Sequence, residues 1–144
     1  MDNNFFGDTF VNKNGPCKIK LSDMKVIVLY FCASWCPPCV NFTPTLVEFY
    51  NDVNLETKQL EIIWVSQEES ESQFKKYLEE MPWPAIPHND KRIQQLVDKY
   101  EIKGIPTVTV LRKNGDVAKK NGKQDILKEG EGAYNLWEQL VNSE

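Results

Sequence analysis

The stretch Val26-Ile27-Val28-Leu29-Tyr30-Phe31 is apolar at every position and rich in β-branched and aromatic side chains. A run without alternation predicts a strand buried on both faces, as in a parallel sheet. Upstream, Lys18-Ile19-Lys20-Leu21 alternates polar and apolar after the turn formers Asn12-Lys13-Asn14-Gly15-Pro16, so Phe10-Val11 and residues 18–21 are expected to pair as a hairpin. Downstream, the period changes. Val40, Leu46, Val47, Tyr50 and Val53 recur at helical spacing, predicting a helix over 37–54 that starts at Pro37 or Pro38 and bends where Pro44 interrupts it.

Glu61 to Ser66 reads as a second central strand, and Ser70-x-x-Gln73 has the form of a capping box that opens the next helix. Three prolines between Met81 and His88 exclude regular structure there, and Asp90 caps a helix carrying Ile93, Leu96, Val97 and Tyr100. Thr107 to Leu111 is the next strand, and Asn114-Gly115 marks a hairpin leading into Val117. One last helix is expected after Gly122, burying Tyr134, Leu136, Trp137, Leu140 and Val141. The chain reads as one domain over 1–144. It comprises a hairpin (1–25), a βαβ unit (26–66), helices with a proline-rich insertion (67–104) and a ββα unit (105–144). The class is α/β, a parallel core with an antiparallel hairpin added.

Composition narrows the function. With 144 residues, 41% hydrophobic and 26% charged, the chain is long and apolar enough to build a core. A net charge of −4 leaves no excess cation to neutralise phosphates, so neither nucleic acid nor an anionic membrane is an expected partner. Its apolar runs fall far short of the roughly 20 residues a membrane helix requires. Met1 to Phe6 form neither a basic nor a long apolar leader, so the expected compartment is the cytoplasm, with the nucleus as a second location.

In a reducing compartment, Cys36 and Cys39 read as a working dithiol rather than a structural disulfide. Exchange needs a thiolate, and a helix N-terminus supplies one: unpaired N–H groups and the positive end of the dipole bring a cysteine there to a pKa of about 3.5–7.5. Cys36, at the helix start, is the expected nucleophile. Cys39, one turn on and deeper, is the expected resolving residue. Trp35 should shield the sulfur and form part of the docking face, while Pro37 and Pro38 stiffen the loop and remove two N–H donors.

A zinc site needs about four ligands. The chain offers only Cys17, Cys32 and His88 besides the pair, none at ligand spacing, so no metal is expected. Cys32 reads as a small buried hydrophobe and Cys17 as a thiol without function. His88 reads as a solvated loop residue, Trp64 and Trp83 as core or site-rim packing, and Glu68-Glu69-Ser70-Glu71 as a solvated helix start.

Trp35-Cys36-Pro37-Pro38-Cys39 after a buried strand, Pro44, and Gly104-Ile105-Pro106-Thr107 before a strand together resemble the thioredoxin superfamily. Tyr30-Phe31-Cys32-Ala33-Ser34-Trp35, Phe42-Thr43-Pro44, Trp64-Val65-Ser66, Met81-Pro82-Trp83 and Ala85-Ile86-Pro87 look like its tryparedoxin and nucleoredoxin branch. The ending through Gly122-Lys123 to Trp137 is most similar to nucleoredoxin-like proteins. The resemblance implies a thioredoxin-like fold, a central mixed β-sheet sandwiched by helices. It also implies a cis peptide before Pro106, with Ile105 and Pro106 forming the second wall of a groove that binds client backbone by β-augmentation.

The activity implied is thiol–disulfide oxidoreduction of the protein-disulfide reductase type, without a bound cofactor, by a monomer. Disulfide-containing client proteins would lie downstream, and a reductase or a low-molecular-weight thiol upstream. A redox-sensitive regulatory module with little turnover is the alternative. Three positions depart from the branch: Val40 where a basic residue often follows the second cysteine, Pro84 where leucine is usual, and His88 where an aromatic is usual. Tyr30 stands where thioredoxins proper carry a buried acid.

Overall fold

The computed structural model describes Gly7 and residues 9–143; Met1 to Phe6, read above for a leader pattern, lie outside the described residues. Its framework is a four-stranded sheet of order β4-β3-β5-β6, built from β3 (Val26–Cys32), β4 (Leu60–Ser66), β5 (Thr107–Leu111) and β6 (Val117–Lys119). β3 pairs in parallel with β4 and antiparallel with β5, and β6 closes the edge antiparallel to β5. Every residue of β3 is buried. Val26, Val28, Tyr30 and Cys32 enter one core with α1 (Pro37–Val53), α2 (Glu71–Leu78), α4 (Lys123–Glu129) and α5 (Ala133–Asn142). Ile27, Leu29 and Phe31 enter the other, with Leu96 and Tyr100 at α3 (Lys91–Lys99). A period of two along a strand covered on both faces accounts for the continuous apolar run.

Local signals place most element ends as expected. Ser70 accepts the N–H of Gln73, and Asp90 accepts that of Arg92. Pro37 and Pro38 occupy the first turn of α1, and Pro44 lies inside it, contributing no N–H to the ladder.

Two expectations are corrected. The hairpin partner of β1 (Thr9–Asn12) is β2 at Gly15–Lys18, not residues 18–21. The Asn12 side chain accepts the N–H of Asn14 at 2.8 Å, closing the turn early, and Gly15 takes φ +122° so the chain returns at once. Leu21 is buried in a short 3₁₀ turn instead of a strand. The final helix is also two. Gly130, at φ +57°, ends α4, and a 3₁₀ turn through Gly132 redirects the chain into α5. Leu136 therefore lands outside, 42% exposed, while Trp137 is fully buried.

The proline-rich segment forms neither helix nor strand, yet it ties the hairpin to the sheet. Ala85 exchanges two backbone hydrogen bonds with Val11, at 2.9 and 2.7 Å, and Trp64 bonds Pro84 and Ile86 on its other side. Among the described residues no helix is long and apolar enough to cross a membrane.

Gly122 links the sheet to α4 where the chain passes closest to the C-terminal helix. Its N–H donates to the Val108 carbonyl at 2.6 Å, and a Cβ there would lie 2.5 Å from the Trp137 ring. Gly122→Ala is expected to lower stability by about 1–3 kcal/mol through overpacking. Denaturant melts would read this against Gly104→Ala, where a Cβ meets nothing within 4 Å.

Candidate active site

The C-terminal end of β3 delivers the chain into α1 through Ala33, Ser34 and Trp35. Cys36 is the N-cap of that helix, in extended backbone (φ −106°, ψ 106°), and its carbonyl receives the Val40 N–H at 3.0 Å. Because the next two positions are proline, the Cys39 amide is the donor left to the Cys36 sulfur. Cys39 lies one turn in, on the core side. The two Sγ atoms are hydrogen-bonded at 2.7 Å, with Cys36 6% exposed and Cys39 fully buried.

Thiols in contact titrate as a coupled pair, so their ionisation belongs to the pair. The helix terminus alone predicts the lower pKa at Cys36, but the structure places the more acidic sulfur at Cys39. There the Cys32 thiol contact contributes most, and contacts from Cys36, the Ala33 backbone and Lys123 add to it, bringing the pKa down to about 6. Burial and the neighbouring Cys39 push the Cys36 thiol up. The more acidic sulfur is thus the one solvent does not reach, and the contact joins it to the one that solvent barely reaches.

Facing the pair across the cleft is the Ile105-Pro106 peptide, which is cis. Its carbonyl, on Ile105, lies 3.9 Å from the Cys36 sulfur. On the near side Trp35 is half exposed, with its indole N–H donating to the Gln67 carbonyl at 3.0 Å. Trp35, Pro37, Pro38, Ile105 and Pro106 thus gather around Cys36, and Val40 adds an exposed apolar side chain on the first turn.

Three contacts were not visible as site features in the sequence. Glu68, read as part of a solvated acidic run, is nearly buried and grips the turn before the cysteines, accepting the Ser34 N–H at 2.6 Å and its hydroxyl at 2.8 Å. Lys123 supplies the cation that Val40 does not: it lies over the Phe42 ring, 5.7 Å from its centroid, and favours the ionised form of both cysteines. Cys32, at the end of β3, lies in the same buried core as Cys39.

Tyr30, in the place of the buried acid, shares a short hydrogen bond with Thr43 (2.7 Å), which also meets Tyr77 (2.6 Å). Burial pushes both phenols well above their usual range. Trp64 and Trp83 are fully buried core residues, and His88 packs beside Phe74. Cys17 lies on β2 near Glu61 and Lys58.

Residues 23–117 match the family described as Thioredoxin-like. The chain belongs to the thioredoxin-like family. Mouse (Mus musculus) nucleoredoxin is 44% identical over 100 residues, covering 69% of this chain and 23% of its own length. Tryparedoxin I from Crithidia fasciculata is similar in structure, with a TM-score of 0.79 and 33% identity over 87% of this chain and 88% of that one. Tryparedoxin II complexed with glutathionylspermidine gives a TM-score of 0.80 at 29% identity, over 90% and 91% of the two chains. The chain spans about a quarter of the length of the nucleoredoxins it matches. Its central mixed sheet and flanking helices form a thioredoxin-like fold similar to that of tryparedoxin I.

Removing the cation tests its part in this arrangement. Lys123→Met is expected to slow alkylation of Cys36 at neutral pH by about two- to fivefold at low salt, and the difference should shrink in molar salt as screening sets in. Equal rates at low salt would remove Lys123 from the electrostatics of the pair.

Proposed function

We propose that this chain is a thiol–disulfide oxidoreductase of the protein-disulfide reductase type, working as a single domain. The observation that carries the reading is the division of labour in the pair. Solvent barely reaches Cys36, at 6% exposure, and does not reach Cys39; a hydrogen bond joins the two sulfurs, and a backbone carbonyl faces the outer one.

Cys36, as thiolate, attacks one sulfur of a client disulfide. The client's other sulfur leaves as a thiolate and takes a proton from water, and a mixed disulfide remains on Cys36. Cys39 then attacks the Cys36 sulfur, the client's second thiolate departs, and a Cys36–Cys39 disulfide holds the oxidation. Two electrons have moved from the dithiol to the client.

The rim explains why a peptide would be a substrate. Trp35 offers an aromatic surface on one side, while Ile105 and Pro106 present backbone on the other, so an extended client segment crossing Cys36 can pair with it as an added strand. Pro37 and Pro38 hold the first turn rigid, so exchange reorders little of the backbone. Re-reduction falls to an upstream reductase or a low-molecular-weight thiol. The glutathionylspermidine complex of tryparedoxin II supports the second class.

A Cys39→Ser variant is expected to accumulate mixed disulfides on Cys36 with client proteins, and the intact chain should reduce protein disulfides catalytically. If the trap captures nothing and the intact chain reduces no faster than Cys36→Ser, the enzyme reading fails. A regulatory module with little turnover would then be the better account.

A further inference from the structure

Two neighbouring residues at the corner between β4 and α2 reach the turn that carries Cys36, and two-cysteine exchange uses neither of them. The Gln67 N–H donates to the Cys32 carbonyl at 3.0 Å, and the Gln67 carbonyl accepts the Trp35 indole N–H at 3.0 Å. Between these contacts the Glu68 carboxylate takes both donors of Ser34, the N–H on Oε2 at 2.6 Å and the hydroxyl on Oε1 at 2.8 Å. The corner is itself braced, since the Glu68 N–H donates to the Ser66 hydroxyl at 2.9 Å. Cys32, Ser34 and Trp35 are thus splinted to one dipeptide.

A carboxylate withdrawn from water is costly unless hydrogen bonds compensate it. Glu68 is only 9% exposed, and both of its oxygens are taken by Ser34. The turn gives Glu68 its partners, and Glu68 gives the turn its shape.

We propose that Glu68 is a positioning residue for client recognition: by holding Ser34 to the corner whose carbonyl holds the indole, it sets the pose of Trp35 against a protein disulfide. The proposal rests on the exchange reading above and names a residue that governs client binding within it.

The turn's two functional residues are anchored differently. Cys36 caps α1, its N–H donates to the Ala33 carbonyl at 3.2 Å, and its carbonyl receives the Val40 N–H at 3.0 Å. The Trp35 ring is half exposed and is tied down by its N–H bond to the corner. Loss of Glu68 therefore falls first on the ring. An aromatic surface fixed before the client arrives costs no ordering on binding, whereas a loosened one must be ordered at each encounter. That cost appears as weaker binding of a client broad enough to meet the ring. A small disulfide that covers the sulfur alone feels it less.

Single turnovers of the pre-reduced chain, with insulin or hydroxyethyl disulfide in excess, separate the two cases. Glu68→Ala should raise the half-saturating insulin concentration by about five- to tenfold, the worth of a hydrogen bond to a charged group. Hydroxyethyl disulfide should slow far less, so the ratio of the two rates falls by about fivefold. Glu68→Gln keeps the clamp and should stay within about twofold of the parent, because its amide oxygen accepts the Ser34 N–H while the Ser34 hydroxyl turns to accept from the amide. Ser34→Ala removes one of the two donors and should move the insulin value the same way by about threefold, so the test does not depend on Glu68→Ala folding.

The ring can be read separately. Trp64, Trp83 and Trp137 are completely buried, so acrylamide quenching of tryptophan fluorescence reports Trp35. Quenching should rise in Glu68→Ala and Ser34→Ala and not in Glu68→Gln. In a Trp35→Phe background, Glu68→Ala should add little to the insulin value, because both residues act through one chain of contacts. If Glu68→Ala lowers the melting temperature but leaves quenching and the rate ratio unchanged, or if its effect adds in full to that of Trp35→Phe, the proposal is overturned while the exchange reading stands. If the parent reduces neither disulfide above a Cys36→Ser control, the exchange reading falls, and the proposal with it.

Discussion

The contact between the Cys36 and Cys39 sulfurs is the interaction around which the rest of the site is built. Isolated thiols at neutral pH are mostly protonated and slow to exchange. Two thiols in contact ionise one before the other, because a charge on the first disfavours a charge on the second, and this holds only while both sulfurs are kept in register. The fold does this by ending a fully buried strand next to the start of a long helix, so that Cys36 caps the helix and Cys39 faces its core side. The surroundings bias the charge: the neighbouring Cys32 thiol favours ionisation of the inner sulfur, and Lys123 that of both.

Holding that geometry takes contacts from distant parts of the chain. Glu68 reaches back 34 positions to fix the turn at Ser34. Trp64, one strand over, bonds the Cys32 carbonyl. The Ile105 carbonyl arrives from 69 positions away to form the opposing wall. Tyr30, Thr43 and Tyr77 satisfy one another beneath the helix, where an unpaired hydroxyl would be costly. The acidic total charge of the chain says little about this site, which draws the cation Lys123 from the start of α4.

What could be read from the sequence follows from what is local. The strand from Val26, the proline-started helix, the caps at Ser70 and Asp90 and the Asn114-Gly115 turn are each decided by neighbouring residues, and each lies where its chemistry predicts. The β2 register and the split C-terminal helix depend on positive φ at Gly15 and Gly130, which residue type permits but does not require. Glu68, Lys123 and Cys32 escaped notice as site residues because nothing in their own segments marks them. Glu68 looks like any helix-start carboxylate, and Cys32 like any small strand-end hydrophobe. Their roles come from packing partners that only the folded sheet provides. The helix-dipole argument weighs the terminus alone, whereas the surroundings lower the Cys39 thiol and burial raises that of Cys36.

The ionisation of the pair can be counted directly. Thiolate absorbance of the fully reduced chain, titrated across pH with Cys17 replaced by serine, should show one thiolate per molecule appearing with a midpoint near about 6. It should hold a plateau through neutral pH, with no second equivalent until well above the ordinary thiol range. Two thiolates rising together near the usual value of about 8.5 would contradict the account, because the sulfurs would then be ionising as strangers.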